Sequence, residues 1–444
     1  MEKAQKNTIN SAKTSSNATA FQHITRILIA IALPVIMLLV LFLNFKSVFG
    51  NDAWTKSAYE KLEFGETERT NADRVKAFKA LAGFVKSESD ETALAAVTAG
   101  ESGEAFFTET ERAALASLRP TVKTLTTAAY CVAGFTFVAL ILAFIAHRGA
   151  DAGRLIRFIA KAALWSALGM ILIMFAGWVW SKLNPDSFFS AVKNTVPALK
   201  NFDAGCGRLA SLCPNALFKD MYSRIILLAG MVIAIIAINA GLYLAASRMV
   251  NTKFSLQILA RTALLIALYI VLDRIVPSVK LPGAKIGLSF VAPFIAAMLY
   301  GPVIAMLVYG IGDFIAAILF PFGTYHVGFT LVAALMGVIL GLFLNKKPLE
   351  AFGSDRGWQK IKLFPNIIVP VVINCLILGL FVNTIWVAQL YGSKTYWGWF
   401  VYRLTEYAIL VPAQIVLAPL LLKACEQLEK AGGARSAWSK RKNK

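Results

Sequence analysis

The sequence predicts an all-α integral membrane protein of about ten transmembrane helices, four in an N-terminal domain and six in a C-terminal bundle. Three observations carry this. Hydrophobic residues make up 57% of the 444 and charged residues 16%, with a mean hydropathy of +0.63; a soluble chain carries about 25% charged residues. The apolar residues gather in ten runs, and in lipid a helix satisfies its own backbone hydrogen bonds. The net charge of +20 sits in short segments between those runs, which is the positive-inside pattern and argues against the basic face of a nucleic-acid binder.

The first run, Ile24 to Phe45, follows a polar stretch holding Lys3, Lys6 and Lys13. It is too long for a signal-peptide core and is expected to be an uncleaved helix with a cytoplasmic N-terminus. Residues 49–122 form the one long hydrophilic stretch, with 13 of the 25 acidic residues against 9 Lys and Arg. That acidic excess in a basic protein places the stretch outside the cell. Val75, Phe78, Leu81, Ala82 and Val85 recur at helical spacing, and Thr108 and Glu111 are spaced as a capping box, so two or three short helices are expected here. Further runs cover Leu125–Ala146, Ala162–Trp180 and Ile225–Ala246, and residues 181–222 form a second outer loop. Cys206 and Cys213 share that loop, an oxidising location; they form either a disulfide across a short ring or two thiols.

The second half has runs at about 259–276, 288–301, 303–320, 328–345, 364–388 and 399–423. Alternation puts the loops near Lys280, Tyr325 and Tyr391 outside. The loop with Lys346, Lys347 and Arg356 and the basic tail at 429–444 are then inside, so both termini are cytoplasmic in a multi-pass protein of a bacterial cell membrane. The domains expected are 1–250 and 251–428, and the two halves show no inverted repeat.

Signatures of soluble enzymes are absent. The chain has no G-x-x-x-x-G-K-[ST], H-E-x-x-H, C-x-x-C or G-x-S-x-G. His23, His147 and His326 are scattered, so neither a metal site nor another cofactor is expected, and the chain does not read as an enzyme. Residues 285–344 hold the features that passive helices lack. Asp313 lies inside an apolar run, where an ionised side chain costs about 2.5–3.5 kcal/mol on insertion scales. Tyr325, His326, Phe329 and Thr330 cluster around one short loop, a poor lipid surface and a plausible ligand surface.

Two resemblances follow from particular phrases. The first half resembles a family of four-helix bacterial membrane proteins of unknown function, through Phe106-Phe107-Thr108-Glu109-Thr110-Glu111, Asn184-Pro185-Asp186-Ser187-Phe188-Phe189 and Leu212-Cys213-Pro214-Asn215. The second half, from Arg261 to Leu428, resembles the folate group of substrate-binding S components of energy-coupling factor transporters. The pieces in order begin with Ala263-Leu264-Leu265-Ile266-Ala267-Leu268, Lys285-Ile286-Gly287-Leu288-Ser289-Phe290, Met298-Leu299-Tyr300-Gly301-Pro302 and Gly312-Asp313. They continue with Gly328-Phe329-Thr330-Leu331, Asn383-Thr384-Ile385-Trp386-Val387, Arg403 and Pro412-Ala413-Gln414. Where the family has an aromatic residue and a proline before Gly-Phe-Thr, this chain has His326 and Val327.

The resemblance implies a vitamin-binding bundle for ATP-driven uptake, working with a membrane coupling subunit and two cytoplasmic ATPases. Folate has a flat pterin, a polar ring edge and an anionic tail, so its site needs aromatic faces, amides or hydroxyls, and cations. Tyr325, His326, Phe329, Trp386, Tyr391 and Trp399 are the candidate aromatics; Thr330, Asn383 and Thr384 the polar readers; Lys285 and Arg403 the cations. Ala263 and Ala267, at i and i+4, are the implied docking face for the coupling subunit. Other readings stand beside these. The tryptophans and tyrosines near 386–399 also suit an interfacial belt, and Asn383 an interhelical hydrogen bond. Lys285 also suits a snorkelling position, Arg403 with Glu406 an i, i+3 pair, and Asp313 a polar anchor within the bundle. The rival function is a membrane scaffold or secondary carrier built on the N-terminal domain.

Overall fold

The computed structural model describes residues 2–61, 70–99, 104–147, 150–195, 212–249, 255–276, 279–281, 284–321, 325–345, 366–391 and 394–430. In the first half the order is α1 (Glu2–Val48), α2 (Asp52–Lys61), α3 (Asn71–Val85) and α4 (Glu91–Ala95), then β1 (Thr98–Ala99) paired antiparallel with β2 (Glu104–Ala105). Then come α5 (Glu109–Ala146), α6 (Ala150–Leu183), α7 (Pro185–Thr195) and α8 (Asn215–Met249). The second half opens with α9 (Leu256–Ile270), which widens into a π turn over Val271–Ile275, and the hairpin β3 (Val279–Leu281) and β4 (Ala284–Ile286). It continues with α10 (Val291–Tyr300), α11 (Pro302–Leu319) and α12 (Val327–Leu344). The last two helices are α13 (Asn366–Tyr391), π-helical over Ile373–Val382, and α14 (Tyr396–Lys430).

Among the described residues nine helices are long and apolar enough to cross a membrane, and with two two-stranded hairpins as its sheet content the chain is an all-α multi-pass membrane protein. The 288–301 run differs from expectation. It forms the ten-residue α10, about 15 Å long, half a hydrocarbon core of about 30 Å. Residues 288–290 turn out of the hairpin instead of extending the helix, and Gly301, at φ +86°, ends it. Eight of its ten residues are buried, so its uniform hydrophobicity reflects packing on all sides rather than a full crossing.

Contacts divide the chain into two compact units, Ile31–Val138 with Ser166–Ala234, and Met1–Ala30 with Ala139–Trp165 and Ile235–Lys444. In the first, α3 buries Phe78, Leu81, Ala82 and Val85, the spacing read from the sequence. Trp54 and Tyr59 of α2 meet the Phe78 ring edge-on, each at 5.9 Å. Trp54 Nε1 donates to Asp220 Oδ2 at 2.6 Å, and Tyr59 OH to the Leu212 carbonyl at 2.5 Å. The Thr108–Glu111 capping box is present, with backbone N–H groups donating across it at 3.0 and 3.2 Å. A second box joins Thr70 and Asp73. Cys206 lies outside the described residues, and with it the Cys206–Cys213 pairing.

In the other unit α10, α11 and α12 are the tightest group. A Cβ on Gly341 would land on the backbone of Gly301 and Pro302, and one on Gly337 on the Ala305 carbonyl; glycine there lets α12 lie directly on α11, as small residues do in lipid. Asn345, just past α12, donates through Nδ2 to the carbonyls of Ala297 and Met298 at 3.3 Å each. Those carbonyls lie in the last turn of α10, where helix ends leave acceptors short of partners; Ala297 also accepts from the Gly301 backbone N–H at 3.2 Å.

Candidate functional site

A cavity of about 290 Å³ opens within the second-half bundle. Its wall takes Tyr269, Asp273 and Arg274 from the end of α9, Lys285 from β4, and Tyr309 and Asp313 from α11. Tyr325 comes from the loop and Phe329 and Met336 from α12; α13 gives Asn374, Asn383 and Tyr391, and α14 gives Arg403, Glu406 and Tyr407. Both π-helical segments contribute wall residues. A π turn shifts the register of the side chains beyond it, and such turns recur at functional sites.

Six of the sequence-derived ligand residues line this wall: Lys285, Tyr325, Phe329, Asn383, Tyr391 and Arg403. The other four stand behind it. Thr384 is buried, donates to the Leu380 carbonyl and accepts from Arg403 Nη1 at 3.1 Å. Arg403 Nη2 donates to Tyr407 OH at 2.9 Å and its Nε to Glu406 Oε2 at 3.3 Å. The guanidinium is thereby fixed in one plane by three neighbours, and the i, i+3 pair and the cavity wall are one structure. Thr330 donates to Asp313 Oδ2 at 2.6 Å and accepts from Tyr325 OH at 3.0 Å. This chain ties the loop to the carboxylate inside α11.

Trp386 and His326 form the other support. Trp386 is 0% exposed, so it is no part of an interfacial belt; Trp397, 64% exposed, suits that role. The imidazole of His326 stacks on the indole and its Nδ1 accepts from the Gly328 backbone N–H at 3.1 Å. Burial pushes His326 down to about 4, so the ring is neutral at pH 7, and with Nδ1 accepting, Nε2 carries the proton. Trp399 is buried against Tyr391 at 5.6 Å. Lys394 lies over the Trp399 and Tyr402 rings, 5.1 and 4.3 Å from their centroids. Ala263 and Ala267 are away from the cavity, exposed on α9.

The charged content of the wall exceeds what the sequence reading assembled. Asp273 is buried and holds Lys285 Nζ at 2.6 Å on Oδ1; Lys285 also donates to the Asp273 carbonyl. Arg274 Nε lies 2.7 Å from Asp273 Oδ2 but is not aimed along a hydrogen bond. An Asp-Arg pair closing an apolar run is a readable signal, since ionisable groups at membrane depth face a cavity or a partner. Asn374 gave no such signal. It donates to the Met336 carbonyl at 3.0 Å while its Oδ1, like that of Asn383, is buried without a partner. Two unsatisfied amide carbonyls on one wall offer acceptors to a ligand that brings N–H groups.

This is a cavity inside a bundle of membrane helices, with aromatic, amide and ionic walls. The sequence model described as ECF-type riboflavin transporter, S component, matches residues 253–426. The folate transporter FolT of Clostridium novyi (strain NT) is 30% identical over 167 residues, covering 38% of this chain and 88% of that protein. The FolT of Leuconostoc mesenteroides subsp. mesenteroides is 26% identical over 164 residues, covering 36% and 81%. A crystal structure of FolT bound with folic acid matches 38% of this chain and 95% of its own, at 25% identity and a TM-score of 0.33. The chain belongs to the S-component family of energy-coupling factor transporters, through its C-terminal half.

Proposed function

We propose that this protein is the substrate-binding subunit of a vitamin importer and that its cavity takes folate or a related pterin at the outer face. The carrying observation is the wall on which Phe329 and Tyr391 offer aromatic faces, Asn374 and Asn383 offer unpartnered amide carbonyls, and Lys285 and Arg403 offer cations. A pterin edge has amino and ring N–H donors for the amides, and folate adds a carboxylate tail for a cation. The two FolT relatives favour folate over the riboflavin of the family description. The role is binding and release, not catalysis. Transport draws on ATP hydrolysed by two cytoplasmic ATPases through a membrane coupling subunit, which docks on the exposed Ala263 and Ala267 face. Both chain termini are cytoplasmic, and residues 1–250 form a fused four-helix domain. Titration of the purified protein with folate and with riboflavin, followed by tryptophan fluorescence, tests the reading. Submicromolar folate binding with weaker riboflavin binding is expected; preference for riboflavin, or no binding of either, overturns it.

A further inference from the structure

We propose that Asp273 is a specificity-determining residue: an internal carboxylate that occupies the cation pair Arg274–Lys285 and so limits how strongly the site rewards an anionic ligand tail. The inference rests on the pterin reading of the cavity.

The wall carries three carboxylates, Asp273, Asp313 and Glu406, against three basic side chains, Arg274, Lys285 and Arg403, a formal balance of zero. Arg403 is held by Glu406. Asp273 is the one carboxylate within ion-pair distance of two wall cations among the described residues, and they reach it from different elements. Its side chain and those of Arg274 and Lys285 are 8%, 11% and 19% exposed, so water screens the triad weakly. One lysine and one arginine converging on a carboxylate is the arrangement a ligand carboxylate would seek. Here that place is filled from within the chain. Arg274 Nε lies close to Asp273 without a directed hydrogen bond, so its fork is oriented by charge and retains donors for a second anion. An incoming tail therefore either displaces Asp273 or shares its cations against a like charge, and in both cases part of the attraction is offset. The affinity of the parent protein then comes mainly from the ring, and the tail adds little.

Asp273→Asn keeps an oxygen for Lys285 and removes the competing charge. The measurement is affinity for folate, which has two tail carboxylates, and for a neutral pterin bearing only a hydroxymethyl group, with the purified full-length chain. The Asn variant should raise the ratio of folate to neutral-pterin affinity by about tenfold, the size of one charge-assisted hydrogen bond, and Asp273→Glu should hold the parent ratio. An unchanged or lower ratio in the Asn variant, or the same rise in the Glu variant, overturns the inference. The parent alone supplies a second test that needs no variant. Its preference for folate over folate with both tail carboxylates amidated should stay within about tenfold; a much larger preference means the cations are not occupied and overturns the role of Asp273. Failure of the parent to bind either pterin would instead remove the pterin reading, and this inference with it. Binding of both with the wrong ratio removes this inference alone.

Discussion

The indole of Trp386 lies on the imidazole of His326, ring centroids 4.7 Å apart and planes 24° from parallel. These residues are 60 positions apart in sequence, and their stack joins the loop before α12 to the final turns of α13. His326 also caps α12 through Nδ1, so one ring supports a helix start and a helix–helix contact. A cation there would lose the acceptor that Gly328 needs, and burial has lowered His326 to about 4.

Acid should therefore loosen this loop. The unfolded imidazole takes a proton near its ordinary value of about 6.5, whereas the folded one resists until about 4. The stability this neutral ring contributes is complete above about pH 6.5 and falls as pH drops through the window to about 4, at about 1.4 kcal/mol per unit. Thermal unfolding at pH 7 and pH 5 should show a loss of roughly 2 kcal/mol from this group. His326→Asn keeps a capping oxygen without titrating, so its pH dependence over that interval should be smaller. Equal dependence in both proteins would assign the effect elsewhere.

Gly328 should tolerate no side chain. A Cβ there would stand 2.5 Å from Trp386 Cε2 and 2.7 Å from its Nε1, and the His326 stack leaves the indole little room to retreat. Gly328→Ala should cost about 1–3 kcal/mol, the usual range for overpacking, and weaken folate binding by tilting Phe329 on the cavity wall. A smaller ring should relieve the clash, so adding Trp386→Phe should recover part of the loss. Simple additivity of the two changes would show that the contact is not the cause.

The cations should separate by ligand. Lys285→Ala should weaken folate binding by less than about tenfold, because Asp273 already occupies that cation. Arg403→Ala also unties Thr384, Glu406 and Tyr407, and should weaken it by roughly tenfold to a hundredfold. A neutral pterin should bind the Lys285 variant like the parent. The Arg403 variant should also lower the melting temperature, because it leaves the buried Glu406 without the cation that pairs with it. Parent-like folate affinity in both variants, with the fold intact, would place the tail elsewhere.

The membrane runs were legible in the sequence because hydropathy is local: a window of residues in lipid reports its own burial. The capping box at Thr108 and Glu111 was legible for the same reason, since both partners lie within one turn. The site was legible in part. Aromatic, amide and basic residues near the ends of the apolar runs nominated six wall residues. What the spacing could not give was depth. Trp386 and Thr384 read as ligand contacts by type, yet they lie fully buried behind the wall, on helical turns displaced by a π segment that no sequence pattern announces. The Asp273–Lys285 pair depends on how a hairpin folds back on α9, and the shortness of α10 depends on its neighbours covering every face.

Ala263 and Ala267 lie one helical turn apart and both are exposed, beside the exposed Leu264 and Leu268. Small residues at that spacing allow close helix approach in lipid, where packing replaces the hydrophobic drive. Among the described residues the face is uncovered, so a bulky residue there meets none of them. Ala267→Trp should accordingly leave folate affinity and thermal stability at parent values when the protein is isolated. If the face docks on a coupling subunit, the indole obstructs that approach; the variant should then fail to co-purify with the subunit and fail to support folate uptake. A fall in binding and stability together would mean that the helix packs inside the bundle instead. Normal uptake by a variant carrying tryptophan at both positions would remove the docking assignment, because no close-packed interface accommodates two indoles where it had two methyl groups.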